Sequence, residues 1–128
     1  MTENEIGHIV VDAAVDIHVH LGSGLLESVY EVVLARVLAE RGLIVERQVV
    51  VPIEFRGLRF DEGFRADIIV NKKVILELKS VEGVNNVHKK QLLTYLRLTG
   101  VKLGFLLNFG QALMRDGITR IVNGLEEE

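Results

Sequence analysis

The stretch FRADIIVNKKVILELKS, Phe64 to Ser80, constrains the fold more than any other part of the chain. Two apolar runs flank the polar NKK, which reads as two strands joined by a turn. Such a hairpin belongs in a core, yet it carries Asp67, Glu77 and Lys79 among Ile, Val and Leu. Burying a lone carboxylate or ammonium is costly unless something pairs with it. Period two puts Arg65, Asp67 and Ile69 on one face and Phe64, Ala66, Ile68 and Val70 on the other. In the second run Ile75, Glu77 and Lys79 share a face. A three-residue turn at Asn71 to Lys73 pairs Val70 with Val74 and sets Asp67 across from Glu77, their Cβ atoms about 5 Å apart. A two-residue turn would send them to opposite faces. Carboxylates that close repel, so one keeps a proton unless a cation lies between them. Lys79 supplies one positive charge; a divalent ion such as Mg²⁺, which takes carboxylate, water and phosphate oxygens, supplies more. An ordinary Asp–Lys or Glu–Lys ion pair on an exposed sheet face fits the same spacing.

Around this hairpin the periodicity gives a helix over 3–21, with Ile6, Ile9, Val10, Ala13 and Ile17 on one stripe. Gly22 suits its end, and Ser23 or Gly24 can open a second helix over 25–41 that stops at Gly42. LIVERQVVVPIEF is β-rich, and its Pro52 marks a bend or an edge. RGLRF reads as a turn into a short return strand, and DEG, residues 61–63, as a further turn. A helix over 88–99 ends at Gly100, LGFLLNF is a strand buried on both faces, and GITRIVN is a last short strand or helix. This order predicts a mixed α/β sandwich built on one sheet.

The helices carry polar residues on their inward stripes. Glu27 falls within about 20° of Leu34 and Leu38 on a helical wheel, with Tyr30 nearby. It also stands close to the helix start, where the dipole favours an acid. His88, Gln91 and Tyr95 share a stripe beside Leu92 and Leu96. Each has a plain structural explanation alone, as a first-turn helix stabiliser, a surface residue or a half-buried polar group. Several converging from separate elements point to a site.

Composition bounds the function. At 128 residues and 48% hydrophobic content the chain is one globular domain, and it has no cysteine for disulfides or thiolate metal ligands. MTENEIGHIV is no secretory signal, and no apolar run approaches the roughly 20 residues that span a bilayer, so a cytoplasmic location is expected. The net charge of −3 equals that of Glu126 to Glu128, an expected acidic tail after a domain spanning 1–125. The neutral body, with basic pairs at Arg56/Arg59, Lys72/Lys73 and Lys89/Lys90, predicts modest nonspecific affinity for nucleic acid.

GLLESVY, residues 24–30, has the G-x-x-E-x-x-Y pattern, and FRAD, ELKSVE and HKKQLLTYLRLTG follow in order. These blocks, spread over residues 6–125, resemble the GxxExxY proteins, a group similar to PD-(D/E)XK nucleases. The core is similar to the RecB-like branch, whose Q-x-x-x-Y motif Gln91 and Tyr95 match. The resemblance implies a single restriction-endonuclease-like α/β domain with a central mixed sheet flanked by helices. It implies a metal site for Mg²⁺ or Mn²⁺ formed by Asp67, Glu77, the main-chain carbonyl of Leu78 and Glu27. Lys79 matches the motif lysine, and Gln91 and Tyr95 would position the substrate. Ala66 stands where the superfamily name has proline. His88 lies outside the general motif, one turn before Gln91, and is a further candidate for substrate positioning.

The implied activity is hydrolysis of phosphodiester bonds in nucleic acid, with DNA as the expected substrate. The metal would activate water and neutralise charge on the phosphate, leaving a 5′-phosphate and a 3′-hydroxyl. Lys79 would orient that water or stabilise the anionic transition state. The competing reading is a noncatalytic or partner-dependent binding module that keeps the nuclease fold, favoured by the neutral body. A nucleotide hydrolase is a poor fit, because LGSGLLES lacks the lysine of a P-loop. His18 and His20 of IHVH point apart on a helix, and His18 instead packs or caps a polar contact. The β-rich run over 49–55 is a candidate edge for a homodimer or a partner protein.

Overall fold

The computed structural model describes residues 1–126, so the two terminal positions of the acidic tail, Glu127 and Glu128, lie outside the described residues. Five strands form one sheet in sequential order: β1 (Val45–Phe55), β2 (Leu58–Val70), β3 (Val74–Lys79), β4 (Leu103–Asn108) and β5 (Ile118–Val122). All neighbours are antiparallel except β3 and β4, which run parallel. A parallel neighbour needs a crossover, and α3 (Asn86–Thr99) supplies it. The other helices are α1 (Glu3–Leu21) and α2 (Glu27–Glu40), with a 3₁₀ turn at Met114–Gly117 before β5. No helix among the described residues is long and apolar enough to cross a membrane.

The sheet separates two apolar clusters. On one side Ile6, Val10, Ala13, Ala14 and Ile17 of α1 and Tyr30, Leu34 and Leu38 of α2 pack against Ile68, Val70, Leu76, Leu78, Phe105 and Leu107. On the other, Leu92 and Leu96 of α3 pack against Phe64, Ala66, Ile69, Ile75 and Leu106. Strand β4 is buried along its whole length, as its unbroken apolar run predicts. Gly104 lies there because a Cβ would sit 3.2 Å from Leu92 and Leu96, so its absence lets α3 approach the sheet.

Local signals account for most boundaries. Thr2 and Glu5 form a capping box at the start of α1, and Gly22 ends it at φ 72°. Helix α2 opens differently from expectation: Leu26, not Ser23 or Gly24, occupies the N-cap, without a side-chain hydrogen bond. Tyr30 supplies the missing order. Its ring stacks on Phe109 at 4.3 Å, while its hydroxyl donates to the Gly22 carbonyl and accepts from the Leu25 N–H. The last segment, open between strand and helix in the sequence, is the 3₁₀ turn followed by strand β5.

Two expectations fail in the β1–β2 hairpin. Residues 61–63 are not a turn; β2 runs through them, and the extra residues appear as a register shift opposite Val51 to Ile53. Strict alternation also breaks. Phe64 and Ala66 pack with Ile69 on the α3 side, whereas Ile68 and Val70 pack on the side of α1 and α2. Their β1 partners switch faces with them: Val49 and Val51 lie on the α3 side and Val45 on the other. The switch falls at Gln48 and Asp67, which stand between paired positions, and Gln48 takes φ 51° in the left-handed region. A helical layer on each face, with the alternation changed once, brings Asp67 to the side of α3.

Candidate active site

The turn between β2 and β3 has the three residues that the hairpin requires. Val70 pairs with Val74, Ile69 with Ile75 and Ile68 with Leu76. The main-chain ladder ends there, and the side chains of the next pair take over its hydrogen bonds. The Asp67 N–H donates to Glu77 Oε2 at 3.2 Å, and the Leu78 N–H donates to Asp67 Oδ2 at 2.9 Å. The strands therefore part at Asp67 and Glu77, with each carboxylate held by the other strand's backbone. Meanwhile the parallel ladder from β3 to β4 continues as far as Lys79 and Asn108, so β3 itself stays rigid.

Glu77 is 8% exposed, and its carboxyl is pushed up to about 9. Burial is the largest cause, followed by the hydrogen bond and the charge of Asp67; the Asp67 N–H and Lys79 act in the opposite direction. Lys79 is half-buried; its carbonyl accepts from the Phe109 N–H at 2.8 Å, while its side chain has no salt bridge or hydrogen bond among the described residues and its charge acts on Glu77. Tyr95 of α3 stacks on Phe64 with ring centroids 3.9 Å apart and planes within 5°. Burial, and then the charges of Glu77 and Asp67, raise its phenol above the ordinary value, while a hydrogen bond with Gln91 lowers it. Asp67, Glu77, Lys79, Gln91 and Tyr95 thus share one neighbourhood between the parted strands and α3.

His88 lies one turn before Gln91, half-buried, and its Nδ1 is a buried atom with no hydrogen-bond partner in the structure. Glu27 departs from the inward stripe read from the helical wheel. It is exposed at the first position of α2 and lines a surface hollow of about 500 Å³ with Gly24, Leu25, Leu26, Ser28 and Ser80. Ser80, the residue after Lys79, donates to the Leu25 carbonyl at 2.7 Å, so the helix start is tied to the end of β3.

The buried carboxylate of α2 is Glu31, one turn further on the same stripe. Its Oε2 accepts from Arg47 Nε and Nη2 at 3.1 and 2.8 Å, and its Oε1 accepts from Gln48 Nε2 at 2.7 Å. That clamp grips the residue at which the β1–β2 alternation changes. Sequence reasoning missed it, although the ERQ of β1 carries the matching cation. It also missed Asn108, fully buried, whose amide bonds both main-chain groups of Val81 and holds the loop after β3. His18 is buried with Nε2 2.9 Å from the Gln111 carbonyl, and His20 is exposed beside Asp16, so the two do point apart.

The donor set suits a hard divalent cation. Two adjacent carboxylates that must share a proton when alone mark a place short of positive charge, and one oxygen of each is held by a backbone N–H. Among the described residues no three acidic, histidine or cysteine side chains stand close enough to share an ion. A cation there would rest on the Asp67–Glu77 pair, main-chain oxygen and water, the sparse protein shell that Mg²⁺ favours.

Comparison with known proteins gives this geometry a family. No curated protein matches the chain. Among solved structures it is similar to SSO0001, at TM-score 0.47 and 20% identity over 94% of this chain and 67% of that one. The family model of the PD-(D/E)XK nuclease superfamily matches residues 4–121, nearly the whole of the fold that carries the carboxylate pair, and the chain belongs to that superfamily.

Proposed function

We propose that the protein is a metal-dependent phosphodiester hydrolase acting on nucleic acid, with DNA as its expected substrate and Asp67, Glu77 and Lys79 as its catalytic residues. The observation that carries this reading is the buried Glu77 carboxyl against the half-buried Asp67, beside a Lys79 side chain with no salt-bridge partner among the described residues, in a chain of the nuclease superfamily. The GLLESVY block and the Gln91–Tyr95 spacing support placing it with the GxxExxY proteins and the RecB-like branch. A nucleic-acid substrate is in keeping with a cytoplasmic location.

Asp67 and Glu77, with the Leu78 carbonyl, would hold Mg²⁺ or Mn²⁺. That ion supplies Lewis-acid chemistry: it makes water more acidic and offsets charge on the phosphate. The chain's own groups do the rest. Lys79 extends its ammonium from the rigid β3–β4 ladder toward the phosphate, steadying the attacking water and the charge that develops at phosphorus. Water attacks phosphorus and gives up a proton to solvent. The bond to the 3′ oxygen breaks, and that oxygen takes up a proton to leave as a 3′-hydroxyl, with the phosphate kept on the 5′ side. Gln91 and Tyr95 orient the sugar–phosphate backbone, and His88 extends that helix face by one turn. Glu27, facing the hollow beside Ser80, would act through water rather than as a direct ligand.

The test is cleavage of labelled single-stranded, duplex and flapped DNA and of RNA in Mg²⁺ or Mn²⁺, with EDTA and Lys79→Ala as controls. Metal-dependent cleavage that the variant lacks supports the reading. Cleavage that survives in Lys79→Ala refutes the assignment of Lys79. A wild type inert on all four substrates favours the noncatalytic module, a reading that the neutral body of the chain supports.

A further inference from the structure

The β1–β2 hairpin continues well past the point where β2 leaves β3, and its tip carries the exposed phenylalanines among the described residues. Ile53 pairs with Phe60 and Phe55 with Leu58, so these four side chains share one face. Phe55, Leu58 and Phe60 are 67%, 63% and 52% exposed. On the other face Glu54 opposes Arg59, which pairs with Asp61. Strand β1 alternates regularly from Val49 onward, with half-buried residues at Val49, Val51 and Ile53. Val49 and Val51 pack on the α3 side, so the apolar tip continues the face that carries Phe64, Tyr95 and the carboxylate pair.

We infer that this tip is a stacking platform for unpaired bases of a nucleic-acid strand led into the site between β2, β3 and α3. The inference rests on the phosphodiesterase reading and names its substrate class, a single strand or a single-stranded end. Three observations select this occupant. The platform is continuous with the candidate site: Phe60 lies roughly 13 Å along β2 from Phe64, at ~3.3 Å per residue, within reach of a short unpaired segment. Its exposed side chains present on the order of 350 Å² of apolar surface. A stable protein partner needs about 800 Å² per side, whereas stacked bases need only flat rings. At the turn Arg56 lies over the Phe55 ring, 5.1 Å from its centroid, with no carboxylate partner among the described residues. A guanidinium on an aromatic face next to a backbone path suits a base and its phosphate.

Because the arm as a whole balances acids against bases, stacking rather than phosphate charge must dominate, and binding should depend weakly on salt. The experiment measures binding of fluorescein-labelled oligo-dT, and of a duplex of equal length, to the wild type and to the Phe55→Ala/Phe60→Ala variant in EDTA. Light scattering and circular dichroism run on both proteins. Because both side chains are exposed, the variant should keep its fold. The inference expects oligo-dT to bind more tightly than duplex, and the double variant to lose at least tenfold in affinity. Equal affinity of variant and wild type, or a preference for duplex, overturns it. A wild-type dimer that the variant converts to a monomer also overturns it, assigning the face to a second copy of the chain. Cleavage assays separate the two ideas. Loss of oligo-dT binding in the variant without any cleavage by the wild type would sink the nuclease reading and keep the platform. Cleavage and binding that are both indifferent to the tip would do the reverse.

Discussion

Replacing Glu77 by Gln should make the metal-free protein more stable at neutral pH, although it removes a carboxylate proposed to be catalytic. The folded protein holds a proton on Glu77 up to about pH 9, whereas an unfolded chain releases it near the ordinary value of 4.5. Between those values the native state binds more protons than the unfolded state, so stability falls as pH rises. Each pH unit is worth about 1.4 kcal/mol, so the loss relative to acid pH is about 3 kcal/mol at pH 7. It grows to about 6 kcal/mol by pH 9, where the native carboxyl ionises and the slope ends. Glutamine resembles the protonated acid: it can accept from the Asp67 N–H and donate to the Asp67 carboxylate, but it does not titrate. Titrating groups distant from Glu77 are common to both proteins and cancel in the difference, and the Tyr95 phenol, raised above its ordinary value, titrates beyond the range measured. Urea unfolding in EDTA at intervals from pH 5 to 9 gives the stability of Glu77→Gln minus that of the wild type. That difference should lie below about 1 kcal/mol at pH 5 and rise steadily thereafter. Mg²⁺ should stabilise the wild type and leave Glu77→Gln little changed, since the ion replaces the shared proton. A difference independent of pH, or a variant less stable than wild type at pH 8, would refute the account of Glu77 as a buried acid short of a cation.

The clamp on β1 predicts an asymmetry. Arg47→Ala leaves Glu31 buried with Gln48 as its remaining partner and should cost about 3–5 kcal/mol. Glu31→Gln leaves an Arg47 side chain that is 42% exposed and can turn to water, so about 1–2 kcal/mol is expected; chemical denaturation giving the reverse order would reject the burial argument. Tyr95→Phe keeps the stack on Phe64 and should change stability by less than about 1 kcal/mol while slowing cleavage. In the wild type the Tyr95 phenol titrates above its usual range, and Glu77→Gln should bring it down by removing a neighbouring charge; phenolate absorbance against pH reads this directly.

Where the sequence was legible, the signal was local and the alternatives few. The NKK turn could hold two or three residues, and only the latter lets both carboxylates meet; the observed pairing of Val70 with Val74 is that register. Helix ends at Gly22 and Gly100 followed from the freedom of glycine at positive φ. The errors have physical causes that a one-dimensional pattern lacks. DEG has the composition of a turn, but β1 lies alongside and keeps it in a strand as a register shift. Glu27 and Glu31 are one turn apart on one stripe, so a helical wheel cannot say which is buried. Arg47 on an adjoining strand decides it.

The change of alternation at Gln48 shows how the two layers build one site. If β2 alternated without a break from Phe64 and Ala66, which face α3, Asp67 would turn toward α1 and α2, away from Glu77 and Tyr95. Nothing in the residue type announces the break, because glutamine has no special tolerance of the left-handed region. The compensation comes from α2, where Glu31 binds the Gln48 amide and, through Arg47, the strand on its other side. The same helix reaches the far end of the site through its start, where Ser80 bonds to Leu25 and Tyr30 bonds to both sides of the preceding loop. Helix α2 therefore braces both the strand opposite Asp67 and the exit of β3 beyond Lys79, from the face of the sheet opposite Glu77 and Tyr95. The charges that a hairpin core would otherwise reject are held in place by that bracing, and the cation proposed for the parted strands would complete their compensation.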